Sequence, residues 1–146
     1  MALSTRHGRV LAIVFTFFAA ATHAQESRKP PLPLDVDFSV PAQGEADVRL
    51  DVTIRIQFSR NADPASFADR IRLSYSKEES AERGEAQPPA VSFTTSYASG
   101  TYVLEIKPRQ PLERFRQVKL ELLSGIVGAD GSVLKPWSLR FSTGGS

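Results

Sequence analysis

The side chains that most often perform chemistry are scarce in this chain of 146 residues, which has two histidines, His7 and His23, and no cysteine. Both histidines fall within residues 1–24, which read as a removable leader. A chain that loses them cannot assemble a Ser-His-Asp or Cys-His mechanism. Nor can it offer the imidazole and thiolate ligands that zinc and copper favour. Carboxylates remain. Asp35, Asp37 and Asp130 are candidates for calcium, a hard cation that wants several oxygen ligands, but no loop carries calcium-ligand spacing. Asp51, Asp63 and the glutamates of residues 78–85 are candidates for glycoside hydrolysis, which needs two carboxylates at a fixed separation around a sugar. Nothing in their spacing sets any two of them so. The expectation is a non-enzyme with no catalytic, cofactor-binding or metal-binding residues.

Two further constellations concern contact rather than catalysis. Arg109, Arg114, Phe115, Arg116 and Lys119 form the densest basic-aromatic stretch, a mixture that suits phosphate contacts and base stacking. The competing reading places Phe115 under its own loop and leaves the bases solvated. An anionic glycan or membrane surface is the main alternative use. Trp137, Tyr75, Tyr97 and Tyr102 are the rings from which a sugar-stacking platform would be built. Trp137 alternates with Leu139 and Phe141, and Tyr102 with Leu104 and Ile106, which assigns both to a core.

The leader decides how charge is read. Arg6, His7 and Arg9 make a basic start, and no acidic residue precedes Glu26. Val10–Ala21 is an apolar run, short against the roughly 20 residues a membrane-spanning helix needs. Thr22-His23-Ala24 then resembles a leader-peptidase site. Removing Arg6 and Arg9 reduces eighteen basic residues to sixteen, equal to the sixteen acidic ones. The basic balance therefore belongs partly to the leader and gives no support for a nucleic-acid partner. No stable membrane insertion is expected afterwards. Residues 25–34, rich in proline, read as an extended lead-in.

The elements follow from alternation. Seven runs place apolar residues at every second position, each with one apolar and one mostly polar face. They are Val36/Phe38/Val40, Val52/Ile54/Ile56/Phe58, Ile71/Leu73/Tyr75, Val91/Phe93/Thr95, Tyr102/Leu104/Ile106, Val118/Leu120/Leu122 and Trp137/Leu139/Phe141. Asp63-Pro64 can start a short helical turn, with Asp as cap, Pro at the first helical position and Phe67 anchoring it. Asp130-Gly131 signals a turn between the last two strands. Lys77 to Pro89 reads as the longest loop. Short strands without long helical patterns predict an all-β fold over residues 35–146, an immunoglobulin-like antiparallel β-sandwich of about seven strands.

Landmarks in order strengthen this. They are Pro41 to Gly44, a strand ending Phe58-Ser59, Leu104 to Leu112 with its Pro-x-x-Pro-Leu close, Leu123 to Ile126, Asp130-Gly131 and Phe141-Ser142-Thr143. In that order and spacing they resemble the SbsA-type bacterial Ig-like family first named for S-layer proteins. The resemblance implies a spacer, adhesion or interaction module on envelope or extracellular proteins, with no catalytic residues to carry over. The chain is also similar in outline to periplasmic copper-carrier Ig-like proteins. Their resemblance implies a metal-binding histidine at the mature start and more near the last strands; here Gln25 holds that start and no histidine follows it. The expected function is a non-catalytic exported module, periplasmic or extracellular, that contacts an envelope or extracellular protein or glycan. A carbohydrate-binding module is the alternative. Mass spectrometry of the exported protein should find Gln25 as its first residue; a chain retaining residues 1–24 would contradict the leader.

Overall fold

Alternation becomes structure most directly at Ile54–Phe58, where Ile54, Ile56 and Phe58 are buried while Arg55 and Gln57 face solvent. In the computed structural model, residues 29, 30 and 32–146 are described; the expected leader and half of the lead-in lie outside the described residues. Seven strands form: β1 (Val36–Val40), β2 (Ile54–Phe58), β3 (Ile71–Tyr75), β4 (Phe93–Ala98), β5 (Val103–Pro108), β6 (Gln117–Leu122) and β7 (Trp137–Ser142). They make two antiparallel sheets, ordered β1-β2-β5-β4 and β3-β6-β7. This is the expected all-β, immunoglobulin-like sandwich. Its core joins Ile54, Ile56, Phe58, Leu104 and Ile106 of one sheet with Leu73, Val118, Leu120, Leu139 and Phe141 of the other.

The short turn Pro64–Phe67 forms as its sequence predicts. Asp63 accepts a hydrogen bond from the Ala65 amide at 3.1 Å, satisfying a donor that the helical turn leaves free. Phe67 then stacks on Phe58 with ring centroids 5.9 Å apart, and Tyr97 meets Phe67 edge-on at 5.4 Å. Leu34, at the end of the lead-in, is buried and its amide bonds to the Val133 carbonyl.

Three local expectations are corrected. Phe38 and Val40 do not point inward with Val36, because the β1–β2 register shifts between Val36 and Phe38. The extra residue of a bulge reverses which face the following side chains occupy. Phe38 therefore lies opposite Gln57 and Val40 opposite Arg55, and the two are 57% and 42% exposed. Tyr102 precedes β5 in a turn with φ of 59° and is exposed rather than core; its carbonyl accepts the Phe58 amide at 2.9 Å. Finally, Lys77–Pro89 is not simply a loop, since Lys77–Glu82 forms a helix, α1. Glu78 and Glu79 in its first turn oppose the positive end of the helix, and Gly84, with φ of 78°, follows its end.

The chain also changes sheets twice, which decides where edges are left open. Residues 44–48 run along β7, with the Gly44 amide donating to Arg140 O at 2.7 Å and the Val48 amide to Ser142 O at 3.0 Å. Residues 89–91 run along β3, where the Tyr75 amide donates to Pro89 O and the Val91 amide to Leu73 O. Thus β7 and most of β3 are covered, and β1 and β4 remain as the outer strands of the four-stranded sheet. The bulge makes a direct prediction for denaturant unfolding. Phe58→Ala should cost about 3–5 kcal/mol as a core truncation, whereas Phe38→Ala should stay within about 0.5 kcal/mol.

Candidate functional site

The most site-like cluster in the fold is built around Arg116, just before β6. Its position is in phase with Val118, Leu120 and Leu122, so the pleat turns it inward with them. Its side chain is only 3% exposed. Three carboxylates close on the guanidinium: Glu113 at Nη1, Glu85 Oε2 at 3.1 Å from Nη2, and Glu79 Oε1 at 3.3 Å from Nε. The Glu79 contact supplies charge attraction, but it lacks hydrogen-bond alignment and leaves Nε unpaired. Ser80 Oγ adds a partner at 3.4 Å, and the guanidinium carbon sits 4.3 Å from the Tyr75 ring centroid.

Each wall of this cage is itself tied down. The Gln117 amide donates to Glu79 Oε2 at 2.6 Å, and Arg83 reaches back four residues to Glu79 Oε1. The Glu113 amide donates to the Tyr75 hydroxyl at 2.9 Å. Thr143 Oγ1 accepts the Arg116 amide and donates to the Glu113 carbonyl. Burial opposes the charge of Arg116, but the hydrogen bonds it donates to Glu113 and Glu85 outweigh it and hold its pKa above the ordinary value. Glu85 is held below its ordinary value chiefly by the Ser80 hydroxyl, against the opposing effect of burial and with help from Arg116. Burial raises the Tyr75 phenol. The cluster is closed on itself. It fixes α1 and the 113–116 loop against the sandwich, with Glu79 and Glu85 engaged and Glu113 partly exposed at its rim.

The basic-aromatic stretch is thereby taken apart. Arg116 points in, Lys119 pairs with Glu121 at 3.0 Å, and Arg109 and Arg114 are exposed. Phe115 does not pack under its loop: it is 68% exposed, on a backbone with φ of 53° that bonds through its amide to Gly144 O. The inward turn of its neighbour Arg116 sends Phe115 outward.

The candidate carboxylates are likewise separate. Asp51 pairs with Arg49 on the surface, Asp63 caps its turn, and Glu79 and Glu85 serve Arg116. Asp130 accepts from the Ser132 amide and hydroxyl and from Arg60 at 2.8 Å, which together lower its pKa to about 2. Asp35 and Asp37 lie exposed at β1. Among the described residues no three His, Cys, Asp or Glu side chains are grouped to hold a metal ion. The aromatic rings are dispersed too. Tyr75 is buried under Arg116, and Tyr97 is half-buried with its hydroxyl donating to Asn61 Oδ1 and accepting the Ala62 amide. Trp137 is half-buried, and only Tyr102 is exposed.

With the geometry in place, comparison with known proteins settles the family. The profile of the bacterial Ig-like domain matches residues 31–143. The chain belongs to that family. No curated protein matches it in sequence. Solved structures share the fold at low identity. The methionine-rich copper resistance protein PcoC of Escherichia coli is 19% identical, with a TM-score of 0.59, covering 77% of this chain and 99% of its own. The N-terminal part of the bacterial S-layer protein SbsC is 9% identical with a TM-score of 0.55, and the match spans 77% of this chain but 24% of that one. The α2-macroglobulin of Escherichia coli is 15% identical with a TM-score of 0.53, the match spanning 78% of this chain and 6% of that one. Copper is named for PcoC; the matched residues 31–143 of this chain contain no His, Cys or Met.

The Arg116 cage predicts a specific stability loss. Arg116→Met keeps a side chain of similar length but strands three carboxylates, and should cost about 3 kcal/mol at neutral pH, as breaking a buried ion pair does. The folded pKa of Glu85 is lowered, so its contribution is full above its ordinary 4.5 and is lost as pH falls through the folded value. Denaturation midpoints measured against pH should therefore show the gap between wild type and Arg116→Met narrowing below pH 4.5.

Proposed function

We propose that this chain is a non-catalytic, exported Ig-like module of the SbsA type that contacts a protein component of the cell envelope. The observation that carries the reading is the display of Phe38 and Val40 on the outer face of the four-stranded sheet. A bulge turns them out of the core, where burial would have stabilised the fold by roughly 1.5–3 kcal/mol each. Residues that forgo such burial and adjoin one another mark a contact surface more readily than a scattered exposed leucine does. Around them lie Gln57 and the Arg55–Glu105 pair, a polar surround of the kind found at the rims of protein interfaces.

Export is supported by the leader-like pattern of residues 1–24. Among the described residues, no helix is long and apolar enough to cross a membrane. S-layer proteins among the structural relatives favour an envelope setting, as a likeness of fold. A glycan-binding platform is less favoured, because of the four candidate rings Tyr75 is buried under Arg116, Tyr97 and Trp137 are half-buried, and Tyr102 alone is exposed.

The test places a photoreactive benzoylphenylalanine at position 38 of the full chain in its native envelope. A reproducible protein adduct whose yield drops several-fold on Val40→Asp is expected. Adducts that are absent, irreproducible or purely glycan would overturn the reading.

A further inference from the structure

The four-stranded sheet has two outer strands, and they are protected very differently. Asp35 precedes β1 and Asp37 lies within it, a bulge interrupts its register, and Pro41 follows it. These are the devices by which proteins prevent unwanted pairing at a sheet edge. β4 has none of them: Phe-Thr-Thr-Ser-Tyr-Ala carries no charge and no proline, and its register with β5 runs without interruption from Phe93 to Ala98.

The pairing pattern identifies which backbone groups of β4 are free. The Arg109 amide donates to Ser92 O at 2.9 Å, making Ser92 and Arg109 a hydrogen-bonded pair. Antiparallel pairs alternate between bonded and non-bonded, so Thr94, Ser96 and Ala98 bond to β5. Phe93 falls opposite Pro108, which has no amide hydrogen to give. Phe93, Thr95 and Tyr97 therefore turn their N–H and C=O groups away from β5. Among the described residues, no other group bonds the Thr95 or Tyr97 backbone.

Immediately beside this edge the two sheets part. Phe67, Ile71, Phe93, Tyr97 and Leu104 line a groove of about 510 Å³, with Asp69 as its charged lining residue. Free backbone groups and a groove of aromatic and aliphatic side chains, edged by Thr95, Ser96 and Asp69, thus share one side of the strand. We propose that β4 is a docking edge for an extended segment of a partner protein, which adds as a fifth strand and sets alternate apolar side chains into this groove. Main-chain bonds would hold such a segment and the groove would select its side chains. Asp69 favours a basic residue at its end of the segment and disfavours an acidic one.

A second copy of this chain is the weaker occupant. A six-residue strand is only about 20 Å long, so edge-to-edge pairing would bury on the order of 500 Å². Stable association needs roughly 1,000 Å² or more. A partner segment that also fills the groove is not limited to the edge.

The proposal rests on the contact-module reading, because it names how one partner is held. Its test is selection of a displayed library of random eight-residue peptides on the full chain. Enriched peptides are expected to alternate apolar and polar residues, with a base at one end. Methylating the peptide amides that face β4 should weaken binding at least tenfold, and methylating the alternate amides should leave it unchanged. Thr95→Pro should have the same effect as the first methylation, since its free amide points off the sheet, where proline is tolerated. Peptides without alternation, or binding indifferent to both methylation patterns, would overturn the proposal. So would concentration-dependent dimerisation in sedimentation that Thr95→Pro abolishes, because the edge would then belong to a second copy. Failure here while a protein adduct still forms at position 38 would remove the edge proposal and leave the contact-module reading standing.

Discussion

Arg116 is the interaction on which the irregular half of this sandwich depends. Removing a guanidinium from water is costly, and the cost is met only where opposite charges and hydrogen bonds surround it. Here those come from α1, from the turn after it and from the loop before β6, with Tyr75 of β3 beneath. Two stretches of chain, residues 75–85 and 113–116, must converge for the charge to be tolerated. The alternating strands need no such device, because their apolar faces already specify one another.

That convergence has consequences along the chain. With α1 held at Glu79, Ser80 and Glu85, residues 89–91 are delivered to β3 and then cross to the other sheet as β4. The crossing covers the β3 edge and leaves the β4 edge open. A cluster that looks, by its charges, like an active site is therefore an architectural clasp. Its carboxylates are engaged with Arg116, Arg83, Ser80 and the Gln117 amide rather than directed into a cleft.

How much of this was legible in sequence follows from the kind of interaction involved. Period-two alternation located all seven strands, and local turn chemistry at Asp63-Pro64 and Asp130-Gly131 was readable because both partners of each bond lie within three residues. The reversal of Phe38 was not, since a bulge is a property of the pairing between two strands and β1 alone still alternates. Helix α1 was missed because six residues are too few to show a period. In the sequence Arg116 reads as one more base in a basic stretch. Its phase with Val118, Leu120 and Leu122 was the available signal, and the glutamates of 78–85 were its counterpart. Their partnership spans more than thirty residues, which no local pattern encodes.

What emerges is a sandwich tied together by an internal ion cage and by two sheet-crossing segments, with β1 and β4 left as the outer strands of one sheet. The central claim is that β4 is paired on one side only. Amide hydrogen exchange resolved by residue measures this directly. The account predicts slow exchange at Thr94, Ser96 and Ala98 alternating with fast exchange at Thr95 and Tyr97. Uniform protection from Phe93 to Ala98 would contradict it.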